Sequence, residues 1–265
     1  MSIIEAIILG AVQGLTEFLP VSSSGHLVLL QKLFSISEGA LLFDTLVHVG
    51  TLFAVFIVLW DDIWDLLKKP IQAKTGFLII ATIPTVIVAL LFKDLIESAF
   101  ASAQFLGFAF LLTGVALFVS ERLSRRPGVI REYMGIPDVL IIGIMQAVAI
   151  IPGVSRSGFT LAGALSLKVE RGTAASFSFL LSIPAILGAL VLQLKDMISN
   201  GSGGSVGAAP LIAGMLTAAI VGFFSIKLML KIVKERSLIG FAVYVACLGT
   251  LILMDQYVSH FFFTV

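Results

Sequence analysis

Six long apolar stretches decide which folds are open to this chain of 265 residues. Each runs for about 20 residues, the length that an α-helix needs to cross the hydrocarbon core of a lipid bilayer. Charged residues make up only 12% of the sequence, against about 25% in an average soluble domain. The sequence therefore predicts an all-α polytopic membrane protein with a single integral membrane domain over residues 1–265. The six transmembrane helices are predicted near residues 40–60, 76–93, 104–120, 173–194, 208–228 and 238–255.

A short sequence occurs twice in the chain, at residues 8–25 and again at residues 141–158, which is 133 positions later. The two copies match in one unbroken register, and they divide the chain into repeats of approximately 1–132 and 133–265. Three predicted spans fall in each repeat. Because an odd number of crossings reverses the direction of the chain, the second repeat must enter the membrane upside down. We therefore predict an inverted-topology repeat.

The basic residues predict how the chain is oriented. Most of the 17 lysines and arginines lie in four connections between predicted spans. These connections are residues 61–75, 121–135, 168–172 and 227–236. By the positive-inside rule they face the cytoplasm, which places both chain termini on the outer side. The N-terminus carries no basic segment of the kind that opens a cleaved signal peptide, and a net charge of +1 argues against a nucleic-acid partner.

The two repeated sequences lie in segments that are too short to cross the membrane twice. Residues 2–36 must begin and end on the outer side, and residues 136–168 must begin and end on the inner side. We predict that each is a re-entrant helical hairpin, broken at Pro20–Ser22 and at Pro152–Val154. Irregular backbone is tolerated at membrane depth only where protein or water satisfies its polar groups, so the breaks predict a cavity.

The two copies differ at their centres, where the first carries Glu17 and the second carries Arg156. Insertion scales assign roughly 2.5–3.5 kcal/mol to a central charged side chain, so the two together cost about 5–7 kcal/mol unless they are paired or hydrated. One interpretation is an ion pair that only locks the two repeats together. The other is a single functional site built from both halves, and the polar residues nearby favour it.

Small polar residues surround both charged positions and precede helical apolar runs. Such residues let membrane helices pack closely, which is the purely structural interpretation. N–H groups and hydroxyls at a helix start also form an anion cradle, and an arginine can bind two phosphate oxygens at once. The pattern predicts a phosphate site around Arg156. Its other members are Ser22, Ser24 and Gly25 of the first copy and Ser155, Ser157 and Thr160 of the second.

Acid and base candidates lie beside this cradle. His26 follows Ser23 by three residues, one helical turn, which would allow the imidazole to exchange a proton with that hydroxyl. A satisfied interior histidine is the structural alternative. Gln13 and Glu17 are four residues apart, so both project from one face of a helix. That face would hold either a divalent cation through oxygen ligands, or a water and the serine.

Asp44 and His48 show the same four-residue spacing on the first predicted span. Two interpretations stay open for them. They support the site residues from a second layer, or they form a buried pair that neutralises itself.

Three motifs in this order resemble the signatures of the bacterial undecaprenyl-pyrophosphate phosphatases, the bacitracin-resistance family. The first is Gln13–Glu17, similar to (Glu/Gln)-x-x-x-Glu. The second is Pro20–His26, similar to Pro-Val-Ser-Ser-x-Gly-His. The third is Pro152–Thr160, similar to Pro-Gly-x-Ser-Arg-Ser-x-x-Thr. The resemblance covers nearly the whole chain.

That resemblance implies an enzyme of the bacterial plasma membrane that hydrolyses undecaprenyl diphosphate and so recycles the lipid carrier for cell-wall polymers. Bacitracin would compete by sequestering the same lipid. Arg156 would hold the diphosphate, Glu17 and His26 would do acid–base work, and Ser23 would be the attacking or positioning hydroxyl. The resemblance also implies a divalent cation, Mg²⁺ or Ca²⁺. Gln13 is a neutral amide where other members carry a carboxylate, so it would bind that cation less strongly.

The sequence leaves the mechanism open. A transient phosphoserine at Ser23 is the first expectation, direct attack by water is the second, and His26 as nucleophile is the third. Because the first hairpin enters from the outer side, we expect phosphate to be released there. A flippase or transporter for lipid phosphates is the alternative function, because inverted repeats with broken helices are also the architecture of secondary transporters.

Overall fold

The computed structural model describes residues 1–36, 40–200 and 206–261, and these residues form helices with no β-strand among them. The first half contains α1 (Ile3–Thr16), α2 (Ser23–Leu33), α3 (Ala40–Val58), α4 (Trp60–Lys68), α5 (Ala73–Leu91), α6 (Lys93–Ser102) and α7 (Leu106–Ser124). The second half contains α8 (Ile136–Val148), α9 (Arg156–Ser166), α10 (Arg171–Asn200), α11 (Ala208–Glu235) and α12 (Ile239–Met254), which a π-helical turn extends over Asp255–Ser259.

The predicted transmembrane helices correspond to α3, α5, α7, α10, α11 and α12. Five of them are long and apolar enough to cross a membrane on their own, and α3 with α4 makes a sixth if that bent pair is one span. The pair bends by 78° at its break. The prediction of an all-α polytopic membrane protein is confirmed.

Two short helices, α4 and α6, lie in segments for which the sequence predicts only connections between spans. α4 carries Asp61 and Asp62 in its first turn and Lys68 in its last, and Trp60 stacks on Trp64 with ring centroids 5.6 Å apart. Tryptophans beside charges are typical of a helix that lies at the membrane surface. α6 follows α5 after Phe92 and carries Asp94 in its first turn.

Each half opens with two helices that are too short to cross the membrane. α1 and α2 have 14 and 11 residues, and α8 and α9 have 13 and 11 residues. The chain breaks between them where the prolines predicted it. At each break one residue has a positive φ, 71° at Ser22 and 86° at Gly153, so the backbone leaves the helical path at these points.

The two halves exchange packing partners, so that helices of one half pack on helices of the other. α1 packs on α11, α8 packs on α5, and α7 packs on α12. Gly10 of α1 lies against the backbone of Gly214, and Gly143 of α8 lies against the backbone of Ala81. Both members of the second contact differ from those of the first by 133 positions in the sequence. Such an exchange is what an inverted repeat predicts. The boundaries of the repeats stay a prediction.

This packing makes Gly10 a sensitive test of the fold. A methyl group on Gly10 would overlap the carbonyl oxygen of Gly214, whereas one on Gly240 of α12 would meet no atom within 4 Å. We expect Gly10→Ala to destabilise the protein by about 1–3 kcal/mol, as overpacking does. Gly240→Ala is the matched control, and alanine should cost nothing there because it is the better helix former. Thermal unfolding in detergent measures both, and equal midpoints would contradict the close approach of α1 and α11.

Candidate active site

The ends of the two broken helix pairs meet at an ion pair. Glu17 follows α1 directly, and Arg156 is the first residue of α9. A guanidinium nitrogen of Arg156 donates to Oε1 of Glu17 at 2.6 Å. The two side chains are 15% and 6% exposed. The structure thus brings together the two residues whose contact the one-site interpretation requires.

The second oxygen of Glu17 has three more polar neighbours. The hydroxyl of Ser23 donates to Oε2 at 2.6 Å, and Nε2 of Gln13 donates to the same atom at 3.1 Å. Nε2 of His48 lies 3.7 Å from it. One buried carboxylate is therefore the common partner of an arginine, a serine hydroxyl, an amide and an imidazole.

The first hydroxyl row divides into a structural and an accessible part. Ser22 is 2% exposed, and its Oγ accepts the N–H of Gly25 at 3.2 Å. Ser22 therefore caps α2. Its Oγ and the N–H of Gly25 bond each other, so this N–H is not directed at an anion. Ser24 is only partly buried, and its Oγ accepts the N–H of Gly153 from the other break at 3.4 Å. Of the three predicted cradle residues in this row, only Ser24 reaches the other break, and it lies next to the predicted nucleophile Ser23.

The hydroxyls around Arg156 bond within the protein. Ser155 caps α9 by accepting the N–H of Gly158 at 3.0 Å. Ser157 donates to the carbonyl of Leu19 at 3.0 Å, across the two breaks. Thr160 shares a hydrogen bond of 2.6 Å with the Ser178 hydroxyl. Ser155, Ser157 and Thr160 therefore hold the loop in place, and their contact with phosphate stays a prediction.

Three contributors to this arrangement were missed in the sequence. The carbonyl of Ser178 accepts a second guanidinium nitrogen of Arg156 at 3.3 Å. The hydroxyl of Thr113 accepts the N–H of Ser155 at 3.1 Å. Tyr244 is the third. These residues lie on α10, α7 and α12, where a polar residue on a membrane span carries no local signal of what it will contact.

His26 is the site candidate that the structure places differently from the expectation. Nδ1 of His26 donates to the carbonyl of Ser22 at 2.7 Å, and Nε2 accepts from the hydroxyl of Tyr244 at 2.7 Å. The Phe110 ring meets the imidazole edge-on, with centroids 5.3 Å apart. Both ring nitrogens thus have partners other than Ser23, and the expected proton exchange with that hydroxyl has no contact to support it.

His48 is the imidazole that lies against Glu17. Its Nδ1 donates to the backbone carbonyl of Asp44 at 2.6 Å, which leaves Nε2 directed at Glu17. The carboxylate of Asp44 accepts from Gln31 at 2.6 Å. Asp44 therefore orients His48 through its backbone, and its carboxylate is satisfied by a different residue.

A divalent cation fits this site only if a bound substrate supplies some of the oxygen ligands. Oε1 of Gln13 is buried and has no hydrogen-bond partner among residues 1–36, 40–200 and 206–261, and Glu17 lies beside it. Within the described residues no group of three or more His, Cys, Asp or Glu side chains is placed to hold a metal ion. Mg²⁺ commonly takes one or two carboxylates and completes its shell with water and substrate phosphates, and the oxygens of Glu17 and Gln13 suit that mode.

Comparison with known proteins gives one family over nearly the whole chain. The family model described as "Bacitracin resistance protein BacA" matches residues 6–251. The undecaprenyl-diphosphatase of Carboxydothermus hydrogenoformans is 46% identical over 98% of this chain and all of its own length. Undecaprenyl-diphosphatase 4 of Bacillus thuringiensis subsp. konkukian is 45% identical over the same shares. The undecaprenyl-diphosphatase of Methanosphaera stadtmanae is 42% identical over 94% of this chain and 96% of its own.

The ion pair at the centre of the site predicts strong energetic coupling. Removing one partner of a buried pair leaves an uncompensated charge and typically costs about 3–5 kcal/mol, whereas removing both costs less than the sum. We therefore expect Glu17→Gln and Arg156→Gln each to lower the unfolding midpoint in detergent, and the double variant to recover part of the loss. Additive effects would show that the two charges are not paired in the folded protein.

Proposed function

The chain belongs to the bacitracin resistance protein BacA family, and from this membership we propose that it hydrolyses undecaprenyl diphosphate to undecaprenyl phosphate and inorganic phosphate. Its long apolar helices make it a multi-pass membrane protein, and its family and relatives make it a hydrolase of a phosphoric anhydride. The observation that carries the proposal is the carboxylate of Glu17, which contacts both Ser23 and Arg156 at 2.6 Å where the two breaks meet. A nucleophile, a proton acceptor and a phosphate ligand are thus in one place.

Arg156 is the group that we propose to bind the diphosphate. Its guanidinium donates to the carboxylate of Glu17 and to the carbonyl of Ser178. A phosphate group carries more negative charge than one carboxylate and can accept two parallel N–H bonds from an arginine. An incoming diphosphate therefore competes with Glu17 for the guanidinium, and the carboxylate then has an oxygen free to act as a base.

Ser23 is our first choice of nucleophile. Its hydroxyl already donates to Glu17, so the carboxylate is placed to take the proton as Oγ attacks the terminal phosphorus. The bond from that phosphorus to the bridging oxygen breaks, and undecaprenyl phosphate leaves. Water then attacks the phosphoserine, releases inorganic phosphate, and the Ser23 oxygen takes the proton back from Glu17. Positioning and charge neutralisation supply most of the catalysis in phosphoryl transfer.

Direct attack by water on the diphosphate is the second possibility, with Glu17 as its base. His26 as the nucleophile is the third, and it requires Tyr244 to release Nε2, which it holds at 2.7 Å. The intermediate separates the three. A phosphoserine survives acid, a phosphohistidine does not, and attack by water leaves no phosphoryl group on the protein.

We propose that Glu17 and Oε1 of Gln13 contribute to a site for a divalent cation, Mg²⁺ or Ca²⁺, that substrate phosphates complete. The cation would neutralise charge on the phosphate oxygens. The support is the unpartnered buried oxygen of Gln13 beside the carboxylate.

We place the lysine- and arginine-rich loops on the cytoplasmic side and both termini on the outer side, from the positive-inside rule. The first hairpin then opens outward, so that phosphate leaves on the outer face of the plasma membrane. The substrate remains in the bilayer through its polyprenyl chain. Bacitracin, by binding that substrate, would compete with the enzyme for it. The family and the relatives favour this phosphatase over the flippase alternative.

The first test is phosphate release from undecaprenyl diphosphate by the pure protein in detergent. We expect Ser23→Ala and Arg156→Ala each to lower kcat/KM by at least about 10²-fold, because each removes a group that contacts the reacting phosphate. Ser98→Ala is the matched control, since that hydroxyl is exposed and donates to the carbonyl of Leu95 on its own helix. Release by both variants at the control rate would refute the site.

The second test concerns the cation. A chelator should abolish phosphate release, and Mg²⁺ or Ca²⁺ should restore it. Gln13→Glu adds a carboxylate beside Glu17, so we expect the half-saturating cation concentration to fall by about tenfold, since ligand charge sets affinity for hard cations. Gln146→Glu is the matched control, because Gln146 is the equivalent buried residue of the other repeat. An unchanged cation requirement in Gln13→Glu would exclude residue 13 as a ligand.

A further inference from the structure

A concave site lies at the lysine- and arginine-rich end of the helices, and neither Glu17 nor Arg156 lines it. It is a cavity of about 320 Å³ where the ends of α7, α10 and α11 meet the end of α9 and the segment that follows it. Its charged lining residues are Arg125, Lys168, Arg171, Lys234 and Arg236 against Glu121 and Glu235. The lining thus carries an excess of positive charge.

Two of these residues build the wall. Glu121 is 1% exposed and accepts from Arg171 at 3.2 Å and from the backbone N–H of Leu238 at 3.2 Å. Arg171 also donates to the carbonyls of Val233 and Arg236, at 2.5 and 2.8 Å. This network ties α7, α10 and the connection from α11 to α12 together, so the cavity has a fixed frame.

Among the other cations, Arg125 shares the carboxylate of Glu121 with Arg171, at 3.1 Å. Lys168 donates to the carbonyls of Arg126 and Pro127, which are neutral acceptors. Lys234 lies near Glu170, whose carboxylate is already bonded by the N–H groups of Gly172 and Thr173. The lining stays positive overall even when Glu170 is counted with it.

Basic residues elsewhere at this end are arranged differently. Lys69 pairs with Asp65 at 3.7 Å, and Lys74 pairs with Asp62 at 2.6 Å. Lys68 lies over the ring of Trp64, with Nζ 5.2 Å from the centroid. These cations lie along the surface of one helix and its neighbour, whereas those of the cavity line one space. The positive-inside rule accounts for basic loops, but it does not require them to surround a hollow.

We propose that this cavity binds the phosphate-bearing headgroup of an anionic phospholipid. A concave site lined by one sign of charge concentrates its field on the space inside, and basic pockets between helices at the cytoplasmic side suit anionic headgroups. The cavity lies where membrane-crossing helices end, which is headgroup depth, and Ile130, Leu165 and Val169 give it an apolar side. That apolar side favours a lipid over a free phosphate ion. The site is independent of the proposed catalytic function.

The test is binding of phosphatidylglycerol to the intact protein in a neutral detergent, counted by native mass spectrometry and followed by the thermal unfolding midpoint. A ligand that binds only the folded state raises that midpoint. We expect phosphatidylglycerol to bind at least about tenfold more tightly than phosphatidylcholine. Absence of that preference would overturn the proposal.

The decisive variant is Lys234→Gln/Arg236→Gln, which removes two cavity charges and leaves Glu121 and Arg171 in place. We expect it to weaken phosphatidylglycerol binding by about ten- to thirtyfold. Lys68→Gln/Lys69→Gln is the matched control, with the same charge change at the same end, and it should alter binding by less than about threefold. Equal losses in both would mean diffuse surface attraction and would overturn the cavity site.

Two further measurements keep the test unambiguous. The unfolding midpoint without lipid checks that the double variant is folded, and Arg236→Gln alone replaces it if it is not. Inorganic phosphate is added as a competitor. If it displaces phosphatidylglycerol at equal concentration, the cavity is a free-anion site and the lipid assignment is wrong; if it does not, the lipid assignment stands.

Discussion

The structure depends on one buried ion pair, Glu17 with Arg156. Either charge alone would be costly at membrane depth, because the bilayer offers no water to solvate it. Each charge is acceptable only where the other reaches it, so the two broken helix pairs must meet end to end. The chain reaches this arrangement through backbone breaks at Ser22 and Gly153 and through close packing of α1 on α11 and α8 on α5. These breaks and helix contacts together hold the two side chains 2.6 Å apart.

A pair that served only as a lock would need neither a reactive hydroxyl nor unused N–H groups beside it, and this buried pair has both. Glu17 has four polar neighbours, one of which is the hydroxyl of Ser23, and Arg156 keeps guanidinium N–H groups beyond those bonded to Glu17 and Ser178. The surrounding hydroxyls of Ser155, Ser157 and Thr160 are turned into the protein and fix the loop. These hydroxyls therefore hold the loop in place, while a phosphate group can replace the carboxylate of Glu17 at the guanidinium of Arg156.

The spans and the breaks could be predicted from the sequence, because the bilayer imposes helix length and because proline stops a helix. The contact of Glu17 with Arg156 also followed, since the inverted repeat brings equivalent segments together. The partners of His26 did not follow. His26 meets Tyr244, which is 218 residues away in the sequence, and spacing along α2 carries no information about that contact. The approach of His48 to Glu17 is set by how α3 packs, which no local pattern in the sequence encodes.

The two copies of the repeated sequence differ at equivalent positions, and these differences supply polar groups of the candidate site. At the 133-residue offset, Ser23 corresponds to Arg156 and His26 corresponds to Phe159. Phe159 is 4% exposed and packs in an apolar cluster with Val154, as His26 packs on Phe110. The imidazole therefore occupies a packing position and adds hydrogen bonds to it. Because each half carries only part of the charge and hydroxyl set, neither could work alone, and the two repeats form one site instead of two.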